Sequence, residues 1–119
     1  METTGIHHVA LNVHDLDEAL AFYIDRLELT LLDRPDFGFA GAWVQAGASQ
    51  IHLMETAEAT IDRRQHLALQ VRDLDDVLAG LEAAGVEVAR VPYLPGSGRQ
   101  AFLRDPSGNR IELNQPDQP

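Results

Sequence analysis

Three observations predict an α+β fold built from two tandem βαβββ modules. The stretch opening at His8 returns at His66, so that His8, Ala10, Leu11, Val13, Asp15, Leu16, Asp17, Leu20 and Ala21 reappear as His66, Ala68, Leu69, Val71, Asp73, Leu74, Asp75, Leu78 and Ala79. Repetition of this kind organises a chain before any local signal does. In both copies a strand-like alternation of polar and apolar residues passes, behind an aspartate, into helical spacing. A third correspondence closes the unit: Gln50-Ile51-His52-Leu53-Met54-Glu55 ends the first copy much as Arg110-Ile111-Glu112-Leu113-Asn114-Gln115 ends the second. We therefore expect one domain over residues 1–119, with module one at 5–56, a linker at 57–64 and module two at 65–116.

The elements follow in order. Residues 6–13 alternate, with Val9, Leu11 and Val13 on one face and His8, Ala10 and Asn12 on the other, as a half-covered strand requires. Asp15 then suits a helix N-cap, with Asp17 and Glu18 at the positive end of the dipole. The apolar stripe is Leu16, Ala19, Leu20, Tyr23 and Leu27, and the helix should end near Arg26. Strands are expected at 28–34, stopped by Pro35-Asp36, at 39–46 around Trp43, and at 50–55 after the tight connection Gly47-Ala48-Ser49. The second copy repeats the plan. A strand at 65–71 precedes a helix capped by Asp73, with a stripe of Leu74, Val77, Leu78 and Leu81 and a left-handed stop at Gly85. Strands at 86–91, 100–104 and 110–114 surround a loop rich in proline and glycine at 92–99 and the turn Asp105-Pro106-Ser107-Gly108-Asn109.

Composition narrows the function. A chain of 119 residues can bury roughly two thirds of its unfolded surface, enough for a real core. Cysteine is absent, so neither a disulfide framework nor thiolate chemistry is available. Nine basic residues, all arginine, against 19 acidic ones give a net charge of −10. A nucleic-acid partner would need a basic stripe that this sequence lacks. No apolar run of membrane-spanning length and no secretory leader pattern is present, which makes the cytoplasm the expected location and excludes a membrane partner.

Four side chains stand out as a candidate site: His8, His52, His66 and Glu112. Glu112 lies between Ile111 and Leu113, and His52 between Ile51 and Leu53, so each polar group occupies the face opposite two apolar neighbours. Imidazoles with a carboxylate form the donor set for divalent zinc, nickel, iron, cobalt or manganese, and a facial set leaves coordination positions open to substrate. His7 should point away from His8 across the strand, and His14 sits at the helix cap where Arg72 replaces it, so neither joins the set.

The motifs His8-Val-Ala-Leu-Asn-Val, Asp15-Leu16-Asp17, Phe22-Tyr23, His66, and Phe102-Leu-Arg-Asp-Pro-Ser-Gly-Asn-Arg-Ile-Glu112-Leu113 together resemble the vicinal oxygen chelate superfamily. This group includes glyoxalase I, extradiol dioxygenases, fosfomycin resistance enzymes and the bleomycin resistance proteins. The resemblance covers nearly the whole chain. It implies paired modules forming a curved mixed sheet around a metal, with helices on the outer face and ligands matching His8, His52, His66 and Glu112. His52 stands where glyoxalase I carries glutamate, and Ala10 where a fosfomycin transferase would carry threonine.

The activity this implies is that of a metal-dependent lyase or isomerase like glyoxalase I. Its small-molecule substrate would chelate the cation through adjacent oxygens, with Glu112 or His52 as the base. The cation would stabilise charge developing on the substrate. Phe37, Phe39, Trp43, Tyr93 and Phe102 would line an apolar pocket. A metal-free binding protein of the bleomycin-resistance kind and an iron-dependent extradiol dioxygenase are the alternatives. Modules of this kind pair within a chain or by exchange between chains, and one pair in this length points to a homodimer. In that arrangement one subunit would give His8 and His52, and the other His66 and Glu112.

Overall fold

The structure is a computed structural model that describes residues 1–118. It divides into two compact units, Met1–Ile61 and Asp62–Pro119. In the first, β1 (His8–Val13) leads into a short α1 (Leu16–Leu20), followed by β2 (Thr30–Leu32), β3 (Gly41–Ala46) and β4 (Ser49–Glu55). The sheet order is β1-β4-β3-β2, with β1 parallel to β4 and the other neighbours antiparallel. The second unit has β5 (His66–Gln70), α2 (Leu74–Ala83), β6 (Ala89–Arg90), β7 (Arg99–Arg104) and β8 (Arg110–Gln115). Its sheet order is β5-β8-β7-β6, with β5 parallel to β8. The fold is thus α+β, with two four-stranded mixed sheets and two helices.

Each core lies between a helix and one face of its sheet. In the first unit Ala42, Val44, Ile51 and Leu53 are buried with Ala19, Phe22 and Tyr23; in the second, Ala101, Leu103, Ile111 and Leu113 are buried with Leu74, Leu78 and Leu81. Alternation then sends Trp43, His52, Phe102 and Glu112 to the opposite sheet faces. Fully burying one such large aliphatic side chain stabilises by about 1.5–3 kcal/mol, so the sheets are held chiefly from the helix side.

Both helices start as the sequence dictates. Asp15 accepts from the Glu18 amide at 3.0 Å and Asp73 from the Asp76 amide at 3.1 Å. A side chain ending the last strand of each unit takes the next free amide: Glu55 accepts from Leu16 and Gln115 from Leu74. Gly85, at φ 84°, closes α2, with the Val86 amide donating to Leu81 and the Gly85 amide to Glu82, a Schellman ending.

The first helix departs from the even period. After Leu20 the chain continues as a π-helix over Ala21–Arg26, and the Leu27 amide donates to the Phe22 carbonyl at 2.9 Å. The wider turn brings Phe22, which lies off the expected stripe, into the core beside Tyr23, their rings edge-on with centroids 5.0 Å apart. Where the second unit uses Gly85, the first places Glu28 at φ 59°. Strands β2 and β6 are shorter than the sequence suggests, three and two residues, because both lie at sheet edges with a partner on one side only. Among the described residues no helix is long and apolar enough to cross a membrane.

Candidate metal and substrate site

The register explains how each unit presents a pair of polar side chains. Ala10 lies opposite His52 on parallel strands β1 and β4, so His8, two residues earlier on the same face, sits diagonally beside His52. Ala68 lies opposite Glu112 on β5 and β8, which puts His66 diagonally beside Glu112. An aromatic residue backs each pair from the neighbouring antiparallel strand: Trp43 opposite His52, and Phe102 opposite Glu112.

In the second unit the His66 Nε2 is 3.1 Å from a Glu112 carboxylate oxygen, Oε1, and Glu112 is only 6% exposed. The His66 Nδ1 lies 3.0 Å from the Arg64 carbonyl. A carbonyl only accepts, so Nδ1 must carry the proton that it donates there, which leaves Nε2 as the basic nitrogen of the neutral ring. Two lone-pair-bearing atoms 3.1 Å apart require a proton or a cation near both. The other carboxylate oxygen, Oε2, accepts from Asn114 Nδ2 at 2.8 Å, and that same amide nitrogen reaches the Ser97 carbonyl at 3.0 Å. Supporting contacts of this type fix a ligand's orientation and tautomer. Further out, Asp62 accepts from the Arg64 and Gln65 amides, both at 2.7 Å, which sets the Arg64 peptide. An open depression lined by Asp62, Arg64, Gln65 and His66 adjoins the pair. Phe102 meets the His66 ring edge-on at 5.4 Å, and Arg110 stacks over Phe102 at 3.8 Å.

In the first unit the His8 and His52 rings stack 3.9 Å apart, and Trp43 stacks on His52 at 4.4 Å. His52 Nε2 is 2.8 Å from Gln50 Oε1, an acceptor, so that nitrogen donates and Nδ1 keeps its lone pair. Burial, then the neighbouring His8, His7 and Arg34, pushes the His52 pKa below the ordinary histidine value, which favours the neutral, donor-competent ring.

His7 is placed differently from the expectation. Its Nδ1 lies 2.9 Å from that of His8, and its ring stands edge-on to His52 at 6.5 Å. Strand β1 begins only at His8, so the alternation that would turn His7 away does not reach it. His14 is engaged elsewhere, 2.7 Å from the Ala59 carbonyl. Tyr93, expected in the pocket, is 54% exposed and donates to Asp117. Among the described residues no group of three or more histidine and carboxylate side chains is set to hold a metal ion; each unit offers a pair. Asn114, Gln50, Arg34 and the Arg64 carbonyl also support the pairs, and their only signal in the sequence is an amide or a charge near a ligand position.

Residues 5–113 match the Glyoxalase/Bleomycin resistance protein/Dioxygenase superfamily. The chain belongs to that superfamily. Among glyoxalase-superfamily relatives, the lactoylglutathione lyase of Salmonella typhimurium is 30% identical over 125 residues, covering 89% of this chain and 88% of that one. A glyoxalase family protein from Bacillus anthracis superposes with a TM-score of 0.90 at 26% identity, covering 98% of both chains. TnmS3, an antibiotic binding protein from Streptomyces sp. CB03234, has a TM-score of 0.82 at 29% identity, covering 98% of this chain and 99% of that one.

Proposed function

We propose that this superfamily member is a metal-dependent lyase or isomerase of the glyoxalase I type, a homodimer in which His8 and His52 of one subunit and His66 and Glu112 of the other are ligands to a divalent cation. Its substrate is a small molecule that presents two adjacent oxygens. The observation that carries this reading is the His66–Glu112 pair: a basic nitrogen and a buried carboxylate oxygen face each other while their remaining polar atoms are committed to Arg64 and Asn114. Such a pair fits a cation. The neutral state favoured for His52, with its Nδ1 lone pair free, fits one too.

When bound, the metal supplies Lewis acidity toward charge developing on the substrate oxygens. The chain's own part is proton transfer and positioning. Glu112 Oε1 is the best-placed base, since burial leaves it few competing waters and Asn114 holds the other oxygen. His52 Nδ1, when not on the metal, is the second group able to take or return a proton, with its ring held between Trp43 and His8. Trp43 and Phe102, each opposite a ligand on the neighbouring strand, give each pair an aromatic flank.

Elemental analysis of protein purified without chelators tests this directly, with about one equivalent of metal per chain expected and lost in Glu112→Gln. Protein that takes up no metal, and does not isomerise an α-oxo aldehyde hemithioacetal when zinc, nickel, cobalt or manganese is supplied, sinks the reading. The likeness to TnmS3 favours a second one, a metal-free ligand-binding protein, and in that case Glu112→Gln leaves ligand affinity unchanged.

A further inference from the structure

The first unit carries a run of rings that continues outward from His52. Trp43 stacks on His52; Phe37 lies 5.9 Å from Trp43, and Phe39 lies 6.2 Å from Phe37. Phe37 and Phe39 are 54% and 50% exposed, an unusual state for large aromatics that bury well when they have a partner. Arg34 sits over both rings, its guanidinium carbon 4.9 Å from each centroid, and donates to the Phe39 carbonyl.

Among the described residues Arg34, like most of the arginines, has no carboxylate partner, and it is set apart by lying across two exposed rings. Of the two carboxylates that flank it in sequence, Asp33 and Asp36, the latter accepts from the Gly38 amide instead. Gly41 makes room for the guanidinium, since a Cβ there would meet an Arg34 nitrogen at 2.9 Å and the Leu53 carbonyl at 2.5 Å. The result is a guanidinium fixed on two rings by one bond to the Phe39 carbonyl, with N–H groups left over to donate to an anion.

We propose that this face binds an aromatic anion, with its ring laid along Phe37 and Trp43 and its carboxylate on Arg34, so that the substrate class is an aryl-substituted hydroxy or oxo acid. This rests on the site reading above and adds its specificity. Exposed rings in parallel or tilted array supply area for another ring, and the unpaired guanidinium supplies the sign of the charge. An aliphatic or neutral ligand would use only half of the arrangement.

Trp43 is the single tryptophan, so its fluorescence reports the site directly. The matched probes are mandelate, with ring, carboxylate and vicinal oxygens; lactate, which lacks the ring; and 1-phenyl-1,2-ethanediol, which lacks the anion. On the same sample, metal content is measured by elemental analysis and oligomeric state by gel filtration. Mandelate should bind at least about tenfold more tightly than either, the factor that ~1.4 kcal/mol corresponds to. Arg34→Gln should erase its advantage over the diol, Arg34→Lys should restore part of it, and Phe37→Ala should erase its advantage over lactate.

Equal affinity for mandelate and lactate in metal-loaded protein overturns the proposal while the metal reading stands. Arg34-dependent mandelate binding in protein that takes up no metal upholds it and removes the metal reading. Loss of a dimer in Phe37→Ala with unchanged mandelate affinity assigns the face to a second copy of the chain and also overturns the proposal.

Discussion

His66 faces a backbone carbonyl at one nitrogen and a buried carboxylate oxygen at the other, and a neutral ring can donate to only one of them, which gives the second unit its chemical character. Asn114 acts through Glu112. Removing its amide in Asn114→Ala frees one carboxylate oxygen to rotate, and metal affinity measured by competition with a chelator should fall about 10–100-fold with little change in fold. Asp62 acts one step further away. Amides of Gln65 and Arg64 hold its carboxyl below the ordinary carboxylate pKa. A depressed pKa in the folded state contributes stability above the unfolded value of about 3.9, and that contribution is lost as pH falls through the lower folded value. Asp62→Ala should therefore be less stable than the parent at pH 7, with the gap closing at pH 3 in urea titrations. A gap independent of pH would show that its two hydrogen bonds do not set the difference.

At the scale of elements, the π-helical segment and its exit decide how the first unit closes. Glu28 takes a left-handed backbone that glycine adopts without steric cost, and the same job in the second unit falls to Gly85. Glu28→Gly should raise unfolding free energy by about 0.5–1 kcal/mol, seen as a shift of the denaturant midpoint at constant slope. The Asp105 turn shows the opposite case, a local signal that works as written. Its carboxylate accepts from the Ser107 and Asn109 amides and from the Asn109 side chain while 4% exposed, which fixes the hairpin that delivers Glu112. Helix starts at Asp15 and Asp73, the stop at Gly85 and the strand alternation were all legible because each depends on neighbours within a few residues. The π-helix was not, since the periodic stripe assumes one hydrogen-bond spacing and cannot report a wider turn. Nor was the place of His7, because alternation assumes a strand from residue 6 and the strand in fact starts two residues later, at His8.

For the whole molecule, the proposed ligands are distributed two to each unit, so metal binding should behave as a linkage between folding and cation concentration. At a hundredfold excess over the dissociation constant, one site adds about 2.7 kcal/mol to the folded state. Thermal unfolding should accordingly move upward with zinc or nickel and return with chelator, and His8→Ala and Glu112→Gln should each abolish the shift. A shift surviving either change would remove that residue from the ligand set. The proposed homodimer predicts a sedimentation mass twice the 13.1 kDa of the chain at micromolar concentration, and a monomer would refute it.

By itself the sequence determined the α+β class, the strand and helix order and the superfamily, because period, capping and turn chemistry are local and the motifs stand in linear order. It also named the four residues of the proposed ligand set. Only the tertiary structure decided the partners of those residues: which oxygen faces which nitrogen, that Asn114 and the Arg64 carbonyl hold the pair, and that Arg34 lies across Phe37 and Phe39. Those contacts depend on cross-strand register and on a loop folding back onto its sheet, and a one-residue slip in either would replace every one of them without changing the pattern of the sequence.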